Sequence, residues 1–371
     1  MNDDPNAVYG VSLEGPIQAI TPPVLPYRPR DPKHYRPGIG FIGCGGVSEH
    51  QLNAYRNAGY NVLALCDIDP AKARSRQQEF FPEADVCCHY TEVLDRKDID
   101  VVDLATHPSV RAPMIEAALL AGKHVLSQKP FVLDLDIGRR LADLADRQGL
   151  KLAVNQNGRW APHFSYIRHA IEGGFIGEVS SVDFEVHWDH NWVAGLEFDK
   201  MEHLLFYDFA IHWFDAATVF FDANRAQKIY AVTARARGQR AHPPLLGHAA
   251  IEYENGQATF MFNGNCCIGQ RDITSVIGTK GVLRSHGPDL LHQEVTLQTA
   301  EGLGTVGLQG SWFPDGMHGA MAELLCAIEE DREPIHSARN NFSSLEVCFA
   351  AIASSISGEP KRPGDVTRMI L

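Results

Sequence analysis

The sequence has no uninterrupted apolar run near the ~20 residues a membrane-spanning helix requires, no C-x-x-C pair, no internal repeat and no surplus of basic charge. Each absence removes a class of protein. Nothing predicts a helix that crosses a bilayer. The formal net charge of −13 leaves no general basic footprint for duplex nucleic acid, although a local basic patch is compatible with it. Residues 1–5 are polar and acidic, and no basic stretch leads into an apolar one, which argues against a secretory signal. The eight cysteines include the adjacent pairs Cys87–Cys88 and Cys266–Cys267, without zinc-ligand spacing. Reduced thiols in a cytoplasmic protein are therefore expected, with no disulfide and no metal.

The rest of the composition is globular. Hydrophobic residues make up 44% and charged residues 21% of 371, enough for a sizeable core and for two domains. Residues 1–37 stand apart, because prolines at 22, 23, 26, 29, 32 and 37 forbid helix and central strand. This arm is either disordered or laid along a neighbouring subunit. From Gly38 to residue 155 short apolar runs alternate with helical stretches, several ending at glycine (Gly59, Gly122, Gly149). Such alternation means βαβ units and a parallel sheet. Beyond residue 155 the period changes. Val182, Phe184, Val186 and Trp188 alternate with polar residues, and Glu254-Asn255-Gly256 carries a hairpin signal. Residues 156–371 are expected to form a mostly antiparallel open sheet with few helices, 316–329 among them. The fold class is thus α/β: a Rossmann-type nucleotide domain followed by an α/β open-sheet domain.

The run Gly40-Phe41-Ile42-Gly43-Cys44-Gly45-Gly46-Val47-Ser48 follows a strand and opens a helix. Gly43 and Gly45 permit a tight turn and a close approach of backbone to a pyrophosphate, which then sits on the helix N-terminus. Ser48 occupies the third fingerprint position and is still small. Asp67 closes the second strand, where a carboxylate accepts hydrogen bonds from ribose hydroxyls and repels a 2′-phosphate. The next residues, Ile68, Asp69 and Pro70, offer no arginine, so NAD is favoured over NADP.

Further on stand Ala121-Gly122-Lys123-His124-Val125-Leu126-Ser127-Gln128-Lys129-Pro130, "DLATHPSV" after the fourth strand, and "HLLFYDFAIHWFD" in the second half. With the glycine turn, these motifs resemble the glucose–fructose oxidoreductase, inositol dehydrogenase and rhizopine-catabolism (Gfo/Idh/MocA) family over nearly the whole chain after the arm. The resemblance implies a substrate held between the open sheet and the nicotinamide. It assigns cofactor contacts to Gly43, Gly45, Gly46, Val47, Asp67, Thr106, His107, Gln128 and Lys129. It gives Lys129 a role with cofactor and substrate hydroxyl, and maps the D-x-x-x-H pair onto Asp208 and His212, extended by Asp215. It also implies a homodimer or homotetramer. Two positions depart from the family pattern: Gln128 stands for a glutamate, and Arg111 for a histidine in the loop after the fourth strand.

The residue types suit the chemistry independently. Oxidising a secondary alcohol needs a base near neutrality, which histidine supplies, and a cation beside the developing alkoxide, which lysine supplies. Asp208 and His212, four apart, are expected on one helical face. His212 is read as the base, Lys129 as its electrostatic partner, and Asp208 as a substrate or relay ligand. Taken singly, each has a structural explanation; the conjunction with the nucleotide turn carries the reading. Asn155, Asn157, Arg159 and Trp160 after the last Rossmann strand, and Trp188, Asp189, His190, Asn191 and Trp192, are expected to line the cleft. Carboxamides and indoles suit a polyhydroxylated ring, and Arg159 suits a carboxylate. For Trp160 and Trp188 a core position is the alternative. The expected function is NAD-dependent hydride transfer on a sugar, glycoside or cyclitol. The rivals are a retained-NAD enzyme without net redox and a nucleotide-dependent sensor.

Overall fold

A computed structural model describes residues 17–222 and 225–369. Six parallel strands form the first sheet: β1 (Gly38–Ile42), β2 (Asn61–Cys66), β3 (Asp85–Cys87), β4 (Val101–Leu104), β5 (His124–Gln128) and β6 (Leu152–Asn155). Their order is β3-β2-β1-β4-β5-β6, the doubly wound Rossmann arrangement. Its strands are almost wholly buried, as parallel strands covered on both faces must be. The helices between them are α1 (Ser48–Ala58), α2 (Pro70–Phe80), α3 (Tyr90–Leu94), α4 (Pro108–Leu120) and α5 (Leu135–Gln148). Local chemistry sets their ends. Asp69 caps α2 by accepting the Ala71 N–H at 3.0 Å ahead of Pro70, while Gly59 and Gly149 close α1 and α5 in the left-handed region.

The chain order reverses between β1 and β4. Gly43 and Ala105 leave the carboxyl ends of these two strands and open the crevice where such sheets bind nucleotides.

The second sheet has eight strands: β7 (Val179–His187), β8 (Ala226–Ala234), β9 (Leu246–Tyr253), β10 (Gly256–Asn263), β11 (Arg271–Gly278), β12 (Gly281–Gly287), β13 (Glu294–Thr299) and β14 (Gly302–Val306). Every pairing is antiparallel except that of β7 with β10. The hairpin at Glu254-Asn255-Gly256 joins β9 to β10, and Thr279-Lys280 joins β11 to β12. One face packs on helices through Val182, Phe184, Val186, Ala258, Phe260 and Phe262, which alternate along β7 and β10 as the sequence pattern predicts.

Beyond residue 155, α6 (Pro162–Glu172) and α8 (Trp312–Glu329) include the helical stretches the sequence marks at 163–172 and 316–329, whereas α7 (Ile211–Phe220) and the 20-residue α9 (Ala338–Ser357) correct the expectation of few helices. α9 is buried against β8, α5 and α7, so its small and apolar residues run all round it and give no amphipathic signal. α8 returns to the first sheet, where Met317, Met321, Leu324 and Leu325 share a core with Ile39, Phe41, Leu52 and Tyr55.

The described part of the arm, 17–37, lies along its own chain. It bridges Ala19 to Leu303 on β14. It then crosses α8 through Arg28–Asp315 (2.9 Å) and through Asp31, which accepts from Tyr60 Oη (2.5 Å) and contacts His318 Nε2 (2.9 Å). Residues 1–16 of the expected arm lie outside the described residues.

Candidate functional site

The nucleotide crevice is shaped by its glycines. Gly43 adopts φ = 102°, and a Cβ there would lie 2.8 Å from the Ala105 carbonyl carbon. Gly45 and Gly46 face open space with nothing within 4 Å of a notional Cβ, so the turn is a bare backbone cradle ahead of α1. Val47 and Ser48 enter the helix, and the Ser48 hydroxyl donates to the Gly45 carbonyl at 2.5 Å. The Asp67 carboxylate folds back on this turn, accepting the Cys44 N–H at 2.8 Å and the Asp69 N–H at 2.9 Å. Each of its oxygens keeps a further lone pair for a ribose hydroxyl. Arg76 on α2 reaches Ser48 Oγ (3.3 Å) but is neutralised by Glu49 and Glu79, both at 3.1 Å. The open glycine cradle and the acidic residue at the β2 end fit NAD.

Lys129, just past the end of β5, projects toward the second half of the chain. Its Nζ donates to Asp208 Oδ1 at 2.9 Å and to the Asp208 carbonyl at 2.8 Å. Asp208 lies in a single π-helical turn, Leu205–Phe209, ahead of α7, so the expected common α-helical face is replaced by a wider turn. The turn still brings Asp208 and His212 to the same lysine. Burial, with the Lys129 charge adding, holds His212 well below the usual histidine range, so it is neutral near pH 7. Among the described residues its Nδ1 is buried against Gly158 without a hydrogen-bond partner, which leaves Nε2 as the nitrogen available to a substrate. His190 lies beside this group, packed on Phe209 with ring centroids 4.0 Å apart. Burial pulls it down to about 4, with Asp208 and Lys129 acting in opposite senses. Trp188 packs on Phe209 and Trp213 and is partly buried, while Trp192 is 57% exposed at the rim.

Four residues expected to line the cleft are corrected. Arg159 is buried and engaged. Its Nε and Nη2 hold Asp215 Oδ2 and Oδ1 at 2.7 and 2.6 Å, and its Nη1 donates to the Ile335 carbonyl at 2.6 Å. Its carboxylate is therefore Asp215 of its own chain, which also accepts from Ser344 Oγ at 2.6 Å. Trp160 is a packing residue under α8, where a Cβ at Gly319 would lie 2.1 Å from its Cγ. Asn157 is buried and accepts the Trp312 indole N–H at 2.7 Å. Asn155 is likewise buried on β6. Asp189 and Asn191 bond each other and brace the loop to Arg240 and Ala241.

On the cofactor side, His107 caps α4 and is exposed beside Thr106. Arg111 is 1% exposed and donates to the carbonyls of Thr106, Gln128 and, at 2.6 Å, Pro130. It clamps the loops after β4 and β5, a structural task that its charge and position alone did not announce. Sequence reasoning also missed Gln51, Tyr55 and Asp103. Their buried side chains link α1 to β4, and the one hint was that Gln51 and Tyr55 stand four apart on the buried face of α1.

Residues 38–156 match the model of an oxidoreductase family with an NAD-binding Rossmann fold, and 164–284 match the GFO/IDH/MocA C-terminal domain. The chain is 29% identical over 260 residues to D-apiose dehydrogenase of Paraburkholderia graminis. That alignment covers 66% of this chain and 66% of that protein, short of two thirds of its length. It is 24% identical to inositol 2-dehydrogenase of Rhizobium meliloti, over 85% of this chain and 96% of that one. Among solved structures, an oxidoreductase from Agrobacterium radiobacter in complex with NAD+, L-tartaric acid and magnesium superposes with TM-score 0.79 at 19% identity. It covers 89% of this chain and 99% of the other, and the likeness is one of fold.

Proposed function

Because the chain belongs to the Gfo/Idh/MocA oxidoreductase family, we propose that it transfers hydride between NAD and a secondary alcohol carbon of a sugar, glycoside or cyclitol. The observation that carries this reading is the meeting of Lys129, Asp208 and His212 at the end of β5, beside a glycine cradle suited to the cofactor. The relatives named for apiose and inositol support a polyhydroxylated substrate.

Held by the glycine cradle and Asp67, NAD would supply the hydride acceptor for the carbinol carbon. The hydroxyl proton passes to Nε2 of the neutral His212, so the C–H and O–H bonds break as the carbonyl forms. The Lys129 ammonium stabilises the oxygen as negative charge develops on it. Asp208 holds that ammonium in place and has a second carboxylate oxygen to offer a neighbouring hydroxyl. His190, Trp188 and Trp192 supply a wall of partly buried aromatic surface for the C–H face of the ring. The outer face of the second sheet exposes Tyr230, Val232, Met261 and Ile277, which supports a homodimer or homotetramer, checked by light scattering.

The test is a screen of aldoses, inositols, glycosides and uronic acids with NAD or NADP, following NADH absorbance. Reduction of NAD on one polyol class is expected. No turnover on any class, or a preference for NADP, would overturn the reading or its cofactor assignment respectively.

A further inference from the structure

Beneath Lys129 runs a line of buried polar side chains that hydride transfer itself does not use. The Lys129 backbone N–H donates to Gln128 Oε1 at 2.9 Å. That bond fixes which way the Gln128 amide points, since a backbone N–H can only donate. Its Nε2 therefore faces Gln51 and donates to Oε1 at 3.3 Å. Gln51 is fixed in turn: its Nε2 donates to Asp103 Oδ2 at 2.8 Å, an oxygen that also accepts the Tyr55 hydroxyl at 2.5 Å. Gln51, Tyr55 and Asp103 are fully buried and Gln128 is 5% exposed. The polarity of the chain is thus set from both ends, by a peptide N–H at one and a carboxylate at the other.

The elements joined are informative. Gln51 and Tyr55 lie on α1, the helix that opens from the glycine cradle; Asp103 lies on β4 and Gln128 on β5. Arg111 holds the carbonyls of Gln128 and Pro130, on either side of Lys129. The backbone at Lys129 is pinned by its neighbours' carbonyls and by its own N–H, and the N–H restraint leads to α1. We propose that Gln51 and Gln128, oriented by Asp103, are positioning residues that hold Lys129 in register with the helix receiving the cofactor. Glutamine is then the working residue at 128, where the resembling family usually carries glutamate. This rests on Lys129 acting at the hydride-transfer site.

The wiring makes Gln128→Glu a non-conservative change. The new carboxylate would meet Gln51 Oε1, acceptor against acceptor. Turning the Gln51 amide over would only move the conflict to Asp103. The conflict is relieved by one proton, taken up by the introduced carboxylate or by Asp103. The charged and titratable groups facing this line are Lys129 at the end of β5 with Asp208 beyond it, Arg111 from α4, and Tyr55 from α1. Burial outweighs the hydrogen bonds of Tyr55 and Gln51 and the charge of Arg111, and pushes Asp103 up to about 7. Adding Asp103→Asn reverses the polarity of the whole line. The introduced carboxamide donates to the turned Gln51, whose Nε2 then donates to the introduced carboxylate, while Tyr55 turns from donor to acceptor.

The experiment compares wild type, Gln128→Glu and the Gln128→Glu/Asp103→Asn double variant at about pH 6 and about pH 8. It measures NADH affinity by fluorescence, melting temperature, and kcat and KM on the active polyol. Gln128→Glu is expected to lose about ten-fold or more in NADH affinity and kcat at about pH 8, and to recover much of it at about pH 6. The double variant recovers at least about a third of the loss at pH 8, short of all of it because Tyr55 gives up its acceptor. Wild-type behaviour of Gln128→Glu at both pH values, or a pH-independent loss that Asp103→Asn does not relieve, would overturn the proposal. A lowered melting temperature with unchanged NADH affinity and kcat would reduce the line to a structural brace and overturn the positioning role. A wild type inactive on every polyol would sink the dehydrogenase reading instead, while NADH affinity still tests the line.

Discussion

In the proposed reaction Lys129 sits where a cation is needed, and the same cation depresses the neighbouring His212. Its charge, after burial, keeps His212 in the neutral form that can accept a proton. The acid limb of kcat/KM for alcohol oxidation should therefore lie well below the ordinary histidine value of about 6.5. Lys129→Met is expected to cost about 100-fold or more in kcat, as loss of an oriented electrostatic group does, and to move the acid limb to higher pH. A limb that stays in place in this variant would mean that His212 is not the group titrating. Arg159 illustrates the opposite outcome. A guanidinium after the last Rossmann strand looks suited to an acidic sugar, yet its bidentate partner is Asp215, inside the same chain. Asp215→Asn leaves a buried cation with half its partner and should destabilise the fold by about 3–5 kcal/mol without raising KM for any substrate. Urea unfolding together with steady-state kinetics separates the two effects. The meeting of Lys129, Asp208 and His212 was legible in the sequence because all three sit in motifs. Arg159, Asn157 and Trp160 were misread because a polar or aromatic residue near a strand end looks the same whether it faces a cleft or an internal partner.

Most elements of the nucleotide half could be read almost to their ends, because each signal there is local: a buried strand, a cap, a terminating glycine; the five-residue α3 escaped, being too short to show a period. The eight-stranded sheet was legible in kind through its period of two and its Asn-Gly hairpin. What escaped depends on distant partners. α9 is covered on several sides and shows no stripe. α8 follows the second sheet in sequence but docks on the first, through contacts that only the tertiary fold defines. Its approach is close enough that Gly319 is required. A methyl group there would meet the Trp160 indole at 2.1 Å, so Gly319→Ala should cost at least about 1–3 kcal/mol and register as a lower urea midpoint. The arm was legible as extended but not in its path. Asp31 ties it to both Tyr60 and His318. Asp31→Ala should free the segment around it, raising the rate of proteolytic cleavage between about residues 27 and 36 while the rest of the chain stays protected. Equal cleavage of the two proteins would mean that the remaining arm contacts suffice.

For the molecule as a whole, the largest charge effects come from groups that burial keeps neutral. Burial pulls His163 and His336 down to about 3 and His190 to about 4, and lowers His212 as well. Each is neutral in the folded chain but takes up a proton in the unfolded chain below about pH 6.5, so their contribution is present above that pH and is lost as pH falls. Asp103 and Asp272 act in the other sense. Burial raises them to about 7 and about 8, so the folded chain holds their protons while the unfolded chain releases them above about pH 4. Their contribution is present at low pH and is lost as pH rises toward 7 and 8. Counting these six groups alone, around pH 5 four histidine protons favour the unfolded chain against two carboxyl protons favouring the folded one. Acidification from about pH 6.5 to about pH 5 should therefore cost roughly 2 kcal/mol. Above about pH 7 the histidines are neutral in both states, and only the slow release from Asp103 and Asp272 remains, so stability should decline gently. The expected profile is a maximum near pH 6.5 to 7 with its steeper side toward acid, read from urea midpoints at about pH 5, 6.5 and 8. Asp272→Asn tests the assignment directly. Aspartate titration at this site is what produces part of the alkaline slope, so the variant should flatten that slope and leave the acid side steeper than in wild type. An unchanged alkaline slope would mean that Asp272 is ionised, and compensated, in the folded protein.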